Sequence, residues 1–304
     1  MIKNYILNPI KKKDNLKALF FNEIDNTIRK TKEGTANSGE SPDMIEIKEE
    51  PVSYQYNYLG FRSEEFTRDH SGEHILFAGC SETEGVGGNL DSVWSYIVYS
   101  ELSKNNKVSG FFNLARYGWG YDIIIQNIVC YIKDYGKPNK IFILFPNLGR
   151  FYNWSEKQED GLENFEYKGH VPNNIDEDTL KPWMRKISLA EQRSHVITFT
   201  MLIKLFEEYC LSNSIDLYWS TWDNQDKENY TTIDIFKNFI PIQDVETFIK
   251  NNSDLFLKEI KPRKDWHEKR DGHRGYAFHY NWARSFLDFV DSKKIKQGSN
   301  QWLQ

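Results

Sequence analysis

The chain has 304 residues, 39% hydrophobic and 27% charged, which is ample for one elaborated soluble domain. A formal net charge of −5 leaves no basic excess to neutralise phosphates, so nucleic acid is excluded as the main partner. No stretch approaches the ~20 apolar residues of a membrane span, and no membrane partner is expected.

The opening, MIKNYILNPIKKKDN, has its basic run after the apolar one and no small-residue cleavage site, so no signal peptide is expected. Residues 30–52 are rich in charge, Gly, Ser and Pro, and residues 1–55 are read as an N-terminal arm and flexible linker. HILFAG (74–79) is a strand-like run stopping at glycine. DSVWSYIVYSELSK (91–104) puts Trp94, Ile97, Val98 and Leu102 near one helical face. VSGFFNLA (108–115) reads as a second strand and YDIIIQNIVCYIKDY (121–135) as a second helix. KIFILFPN (140–147) is a continuous apolar run suited to a strand buried on both faces. A long helix is expected over 188–213 and a fourth strand at IDLYWST (215–221). A C-terminal helix is expected over 276–290, striped with Phe278, Trp282, Phe286 and Phe289.

This alternation predicts an α/β fold with a parallel sheet and helices on both faces. The main domain is bounded at 56–292, with insertions near 150–187 and 223–270 and a tail at 293–304. The three cysteines, Cys80, Cys130 and Cys210, show neither metal-ligand nor disulfide spacing, which points to a reducing compartment.

Ligands of open α/β sheets bind beyond the carboxyl ends of the strands. The segment leaving the first strand is Gly79-Cys80-Ser81-Glu82-Thr83-Glu84-Gly85, where a serine can present its hydroxyl to the cleft. Competing motifs fail on spacing. An α/β-hydrolase elbow needs glycine where Thr83 stands, and a phosphate loop needs Gly-Lys where Glu84-Gly85 stands. A dinucleotide fingerprint from Gly85 and Gly87 would need glycine at Leu90.

GCSETEG resembles the G-D-S-x-T-x-G block of the SGNH (GDSL-type) serine hydrolases, with Cys80 in place of the usual Asp. Asn113-Leu114-Ala115-Arg116-Tyr117-Gly118 is similar to the family's N-x-G-x-x-G block, with Ala115 replacing the first glycine. Phe145-Pro146-Asn147-Leu148 stands where the family has G-x-N-D, and keeps its asparagine. Arg270-Asp271-Gly272-His273 resembles the D-x-x-H block with one residue fewer between acid and base. The blocks appear in family order over residues 79 to 279.

This resemblance implies a three-layer α/β/α flavodoxin-like fold and an esterase or deacetylase. Ser81 would be the nucleophile, His273 the base and Asp271 the acid. The backbone N–H groups of Ser81 and Gly118 and the side chain of Asn147 would form the oxyanion hole. His279 is the reserve base, although its place on a face with Ala283, Phe286 and Val290 also fits a buried structural histidine. Ser81 also has the plainer alternative of a helix cap, and Cys80 that of a small buried residue.

No cofactor is implied and no metal site is expected, because the six-residue intervals between His267, His273 and His279 do not stack on one helical face. The expected substrate is a small-molecule ester or an acylated glycan, for which Phe151, Tyr152, Trp154, Trp183, Trp219 and Trp222 offer a sugar platform. The alternative is an SGNH-fold binding or virion structural module without turnover. The resemblance to phage-borne members and the lack of a leader point to a cytoplasmic or virion-associated protein.

Overall fold

The computed structural model describes residues 54–86, 88–146, 182–222, 236–251 and 275–300. In chain order the elements are β1 (Ile75–Gly79), α1 (Ser81–Glu84), α2 (Trp94–Asn105), β2 (Phe112–Asn113), α3 (Tyr121–Tyr135) and β3 (Lys140–Phe145). They continue with α4 (Pro182–Ser212), β4 (Asp216–Thr221), α5 (Val245–Asn251) and α6 (Tyr276–Asn300). The four strands form one parallel sheet in the order β2-β1-β3-β4.

The sheet is apolar on both faces, as a buried parallel sheet must be. Leu76 and Ala78 of β1, Ile141, Ile143 and Phe145 of β3, and Leu217 and Trp219 of β4 point to one core. There they meet Ile124, Ile128 and Tyr131 of α3 and Phe199, Ile203 and Phe206 of α4. The alternate residues, Ile75, Phe77, Phe142, Leu144 and Tyr218, point to the other core, against Trp94, Val98 and Leu102 of α2 and Trp282, Phe286 and Val290 of α6. This makes the molecule a three-layer α/β/α sandwich of flavodoxin-like strand order. The chain runs outward from β1 to β2 by way of α2, then returns past β1 to β3 by way of α3 on the opposite face. Right-handed crossovers require that change of face when the direction along the sheet reverses.

β2 is far shorter than the strand predicted over 108–115. Its outer edge is taken by the preceding chain: the Glu64 N–H donates to Phe111 O, the Phe111 N–H to the Glu64 carboxylate and the Asn113 N–H to Ser63 Oγ. Upstream, only the single bridge from Val108 to Glu73 continues the pairing. The far edge is covered in a similar way by residues 238–240, which bond Trp219 through the Asn238 carbonyl and the Ile240 N–H. Edges closed like this do not template pairing with other chains. Tyr54, the first described residue, is already buried, and α6 runs to Asn300, through most of the stretch read as a tail. No helix among the described residues is long and apolar enough to cross a membrane.

At the amino end of β1, His74 is 2% exposed, stacked on His70 with ring centroids 3.6 Å apart and bonded to the Tyr131 hydroxyl at 2.9 Å. Burial first, and His70 second, lower its pKa from 6.5 to about 4. A histidine held neutral in the fold but free to charge when unfolded stabilises above pH 6.5, and that stability is lost as pH falls toward 4. The loss is bounded at about 3 kcal/mol, and solvent screening brings the expected value nearer 1–2 kcal/mol. Urea unfolding of the wild type and His74→Gln at pH 7 and pH 4.5 tests this. The variant is expected to be weaker at both pH values but to have a flatter pH dependence; parallel slopes would refute the assignment.

Candidate active site

The order β2-β1-β3 makes β1 the strand from which the chain departs in both directions, so its carboxyl end is the topological switch point where open α/β sheets bind ligands. Ser81 leaves β1 at that point, as the first residue of the single-turn α1, and is 4% exposed. The cap position belongs to Cys80, and no side chain caps the turn. The Cys80 side chain is fully buried and receives the indole N–H of Trp222 at 3.4 Å. The turn closes at Gly85, whose φ of +79° lets its N–H bond back to Ser81 O.

Every residue of α1 is gripped. The Thr83 hydroxyl accepts from Trp94 Nε1 at 3.2 Å, and its carbonyl accepts from Asn113 Nδ2 at 3.0 Å and Ser95 Oγ at 3.3 Å. Asn113 ends β2, and its Oδ1 also accepts the Ala115 N–H, so one amide turns the second loop and ties it to the first. The Glu82 carboxylate lies 3.7 Å from His279 Nε2. His279, in the first turns of α6, is 1% exposed and accepts the Trp94 N–H on Nδ1 at 3.3 Å, which leaves its ring proton on the nitrogen facing Glu82.

Glu84 is the buried acid that ties this turn to the loop after β2. It is 1% exposed, accepts the Tyr117 N–H at 2.5 Å on one oxygen and receives the Tyr56 hydroxyl at 3.3 Å on the other. Burial raises its pKa, opposed by the charge of Arg116, the Tyr117 N–H and the charge of Arg62. Burial and the carboxylate push the Tyr56 phenol up, so it stays a donor. Arg62, also buried, donates to the carbonyls of Glu84, Gly85 and Gly88 and stacks on Tyr54.

The loop after β2 runs along this turn. Arg116 bonds Gly60 O through its guanidinium and lies over the Phe61 ring. Gly118 has φ +82°, and among the described residues a Cβ there would meet nothing within 4 Å, so the requirement they show for glycine is torsional. Tyr117, just before it, is 59% exposed.

The structure therefore brings Ser81, Gly118 and His279 to one end of the sheet. Asn147, Asp271 and His273 lie outside the described residues, as do Phe151, Tyr152, Trp154 and the Trp183 side chain. Trp219 does not belong to a sugar platform: it is fully buried in the core, with its indole N–H on the buried Glu207 carboxylate at 3.0 Å. Trp222 is partly buried against the second core. Sequence reasoning missed Tyr56, Arg62 and the inward roles of Glu82 and Glu84, because their partners lie far away along the chain. The available signal was the pair itself, flanked by Gly79 and Gly85 in a turn too short to expose both. Among the described residues, no group of three or more His, Cys, Asp or Glu could hold a metal ion.

No protein-family model and no curated protein matches the chain. Among solved structures, one from Desulfitobacterium hafniense DCB-2, described as a "putative lipolytic protein of G-D-S-L family", is similar at 11% identity and a TM-score of 0.32. The match covers 70% of this chain and 97% of that one. Overlap that loose carries no weight for the chemistry, which rests on the residues around Ser81.

Proposed function

We propose that the chain is a serine esterase or deacetylase that removes an acyl group, O-acetyl above all, from a carbohydrate. The observation that carries this reading is the position of Ser81. It leaves the central strand at the switch point, beside the left-handed Gly118 loop, and the cap position is filled by Cys80.

In this mechanism His273 takes the Ser81 proton as Oγ attacks the acyl carbonyl carbon. Asp271 orients the imidazole and stabilises its cation. The oxyanion is received by the N–H groups of Ser81 and Gly118 and by the Asn147 amide. Collapse expels the alcohol, protonated by His273, and water then releases the acid from the acyl-enzyme. His273 stands three residues before α6, a helix whose first turns present His279 to Glu82, next to Ser81. His279, the reserve candidate, is buried with Nδ1 on the Trp94 N–H and Nε2 facing Glu82, which fits a structural histidine better than a base. Support for a sugar comes from Tyr117, an exposed aromatic one residue from Gly118, since sugar rings stack on such faces.

A fluorophosphonate probe tests the reading directly. The folded wild type is expected to take up one equivalent on the peptide carrying Ser81, and His273→Ala to suppress that labelling. A folded protein that stays unlabelled would favour a binding module over an esterase, and labelling of another residue would move the nucleophile away from Ser81.

A further inference from the structure

We infer that Glu84 is a positioning residue for the oxyanion loop, coupling the turn that carries the nucleophile to the backbone that carries Gly118. This role rests on the proposal that Ser81 attacks and Gly118 donates its N–H.

Ser81 and Glu84 are the first and last residues of the same single-turn helix, so wherever that turn sits, both go together. Glu84 reaches from it to the Tyr117 N–H at 2.5 Å, the amide immediately before Gly118. Gly118 needs such help. It stands at φ +82°, and among the described residues no atom lies within 4 Å of a would-be Cβ, so the bonds of its neighbours bear directly on its conformation. They include Arg116 N–H to Gly79 O at a long 3.4 Å, Trp119 N–H to Arg116 O at 3.3 Å, and the much shorter Tyr117 bond to Glu84.

The carboxylate is itself fixed. Tyr56 holds its second oxygen, while Arg62 fastens the Glu84, Gly85 and Gly88 carbonyls behind it. A buried carboxylate is a poor means of merely filling space, since an apolar side chain of similar volume serves as well or better. Its use here is an acceptor oxygen aimed at one loop amide, a geometry that a Gln amide oxygen also supplies.

The test compares Glu84→Gln, Glu84→Met and Glu84→Ala with the wild type for hydrolysis of p-nitrophenyl acetate. Gln keeps an acceptor for Tyr117 and a partner for Tyr56, whereas Met keeps the volume and loses the acceptor. Removing an oxyanion donor outright typically costs about 100- to 1000-fold, so losing only its alignment is expected to lower kcat about 10- to 100-fold in Met and Ala, with KM within about twofold. Gln is expected to retain kcat within about threefold of the wild type. Amide exchange at Tyr117 and Gly118 is expected to rise about tenfold or more in Met, with β1 and β3 amides unchanged.

Equal losses in Gln and Met would overturn the role, since the acceptor geometry would then not matter. So would an unchanged kcat in Met while Ser81→Ala is inactive, a result that leaves the nucleophile in place. A wild type inert to both ester and probe would instead remove the esterase reading and this role with it.

Discussion

Replacing Ser81 with alanine is expected to lower turnover of p-nitrophenyl acetate by at least about 1000-fold, equivalent to about 4 kcal/mol of transition-state stabilisation. The same change is expected to leave the melting temperature within about 2 °C of wild type, because it removes one hydroxyl and none of the bonds that close the turn. The two expectations separate the catalytic role from the structural one. A capping serine replaced by alanine loses about 1 kcal/mol and leaves any activity elsewhere untouched. Here the cap is Cys80, and the bonds that close the turn run from the Gly85 and Val86 N–H groups to the Ser81 carbonyl, which alanine keeps. Alanine also has the higher helix propensity. A destabilised but equally active variant would return Ser81 to a structural role, and equal rates in two equally stable proteins would sink the nucleophile assignment.

What was legible in the sequence follows from which forces were local. β1, β3 and β4 lie within a residue or two of their expected bounds, and α3 matches 121–135, because continuous apolar runs and a 3.6-residue period carry their own signal. The edge of the sheet was not legible. Ser63 and Glu64 take the hydrogen bonds of Phe111 and Asn113, and nothing near 108–115 announces partners some fifty residues upstream. Helix α4 starts at Pro182, a residue suited to a first helical turn, within a stretch read as insertion. Helix α6 overruns its expected end because Lys293 to Gln297 contains no breaker and good helix formers.

The site divides in the same way. The spacing of Gly79, Ser81, Thr83 and Gly85 was readable, since each answers to the geometry of one tight turn. The Arg62, Glu84 and Tyr117 arrangement joins segments 22 and 33 residues apart. Its chemistry is non-local, and no window along the chain displays it.

Gly79→Ala is expected to destabilise the protein by about 3 kcal/mol or more, because overpacking against atoms that cannot yield lies at the top of its usual range. A Cβ on Gly79 would fall 2.0 Å from Thr83 Oγ1, 2.7 Å from Thr83 Cβ and 2.8 Å from the Leu144 carbonyl oxygen. None of these is the free end of a flexible chain. Thr83 is β-branched and fully buried, with its hydroxyl on Trp94 Nε1 and its carbonyl on Asn113 and Ser95. Leu144 is in β3, paired in register with Gly79 itself. Relief therefore means moving α1 away from the sheet or parting the two central strands. For a domain of this size the expected loss corresponds to a melting temperature lower by about 6–12 °C. Moving α1 would also carry Ser81 out of line with the Gly118 loop, so the variant should lose activity even well below its melting point. A Gly79→Ala protein that melts within about 2 °C of wild type would mean the turn does not pass this close to β1. The close packing that brings Ser81 to the switch point would then be wrong as well.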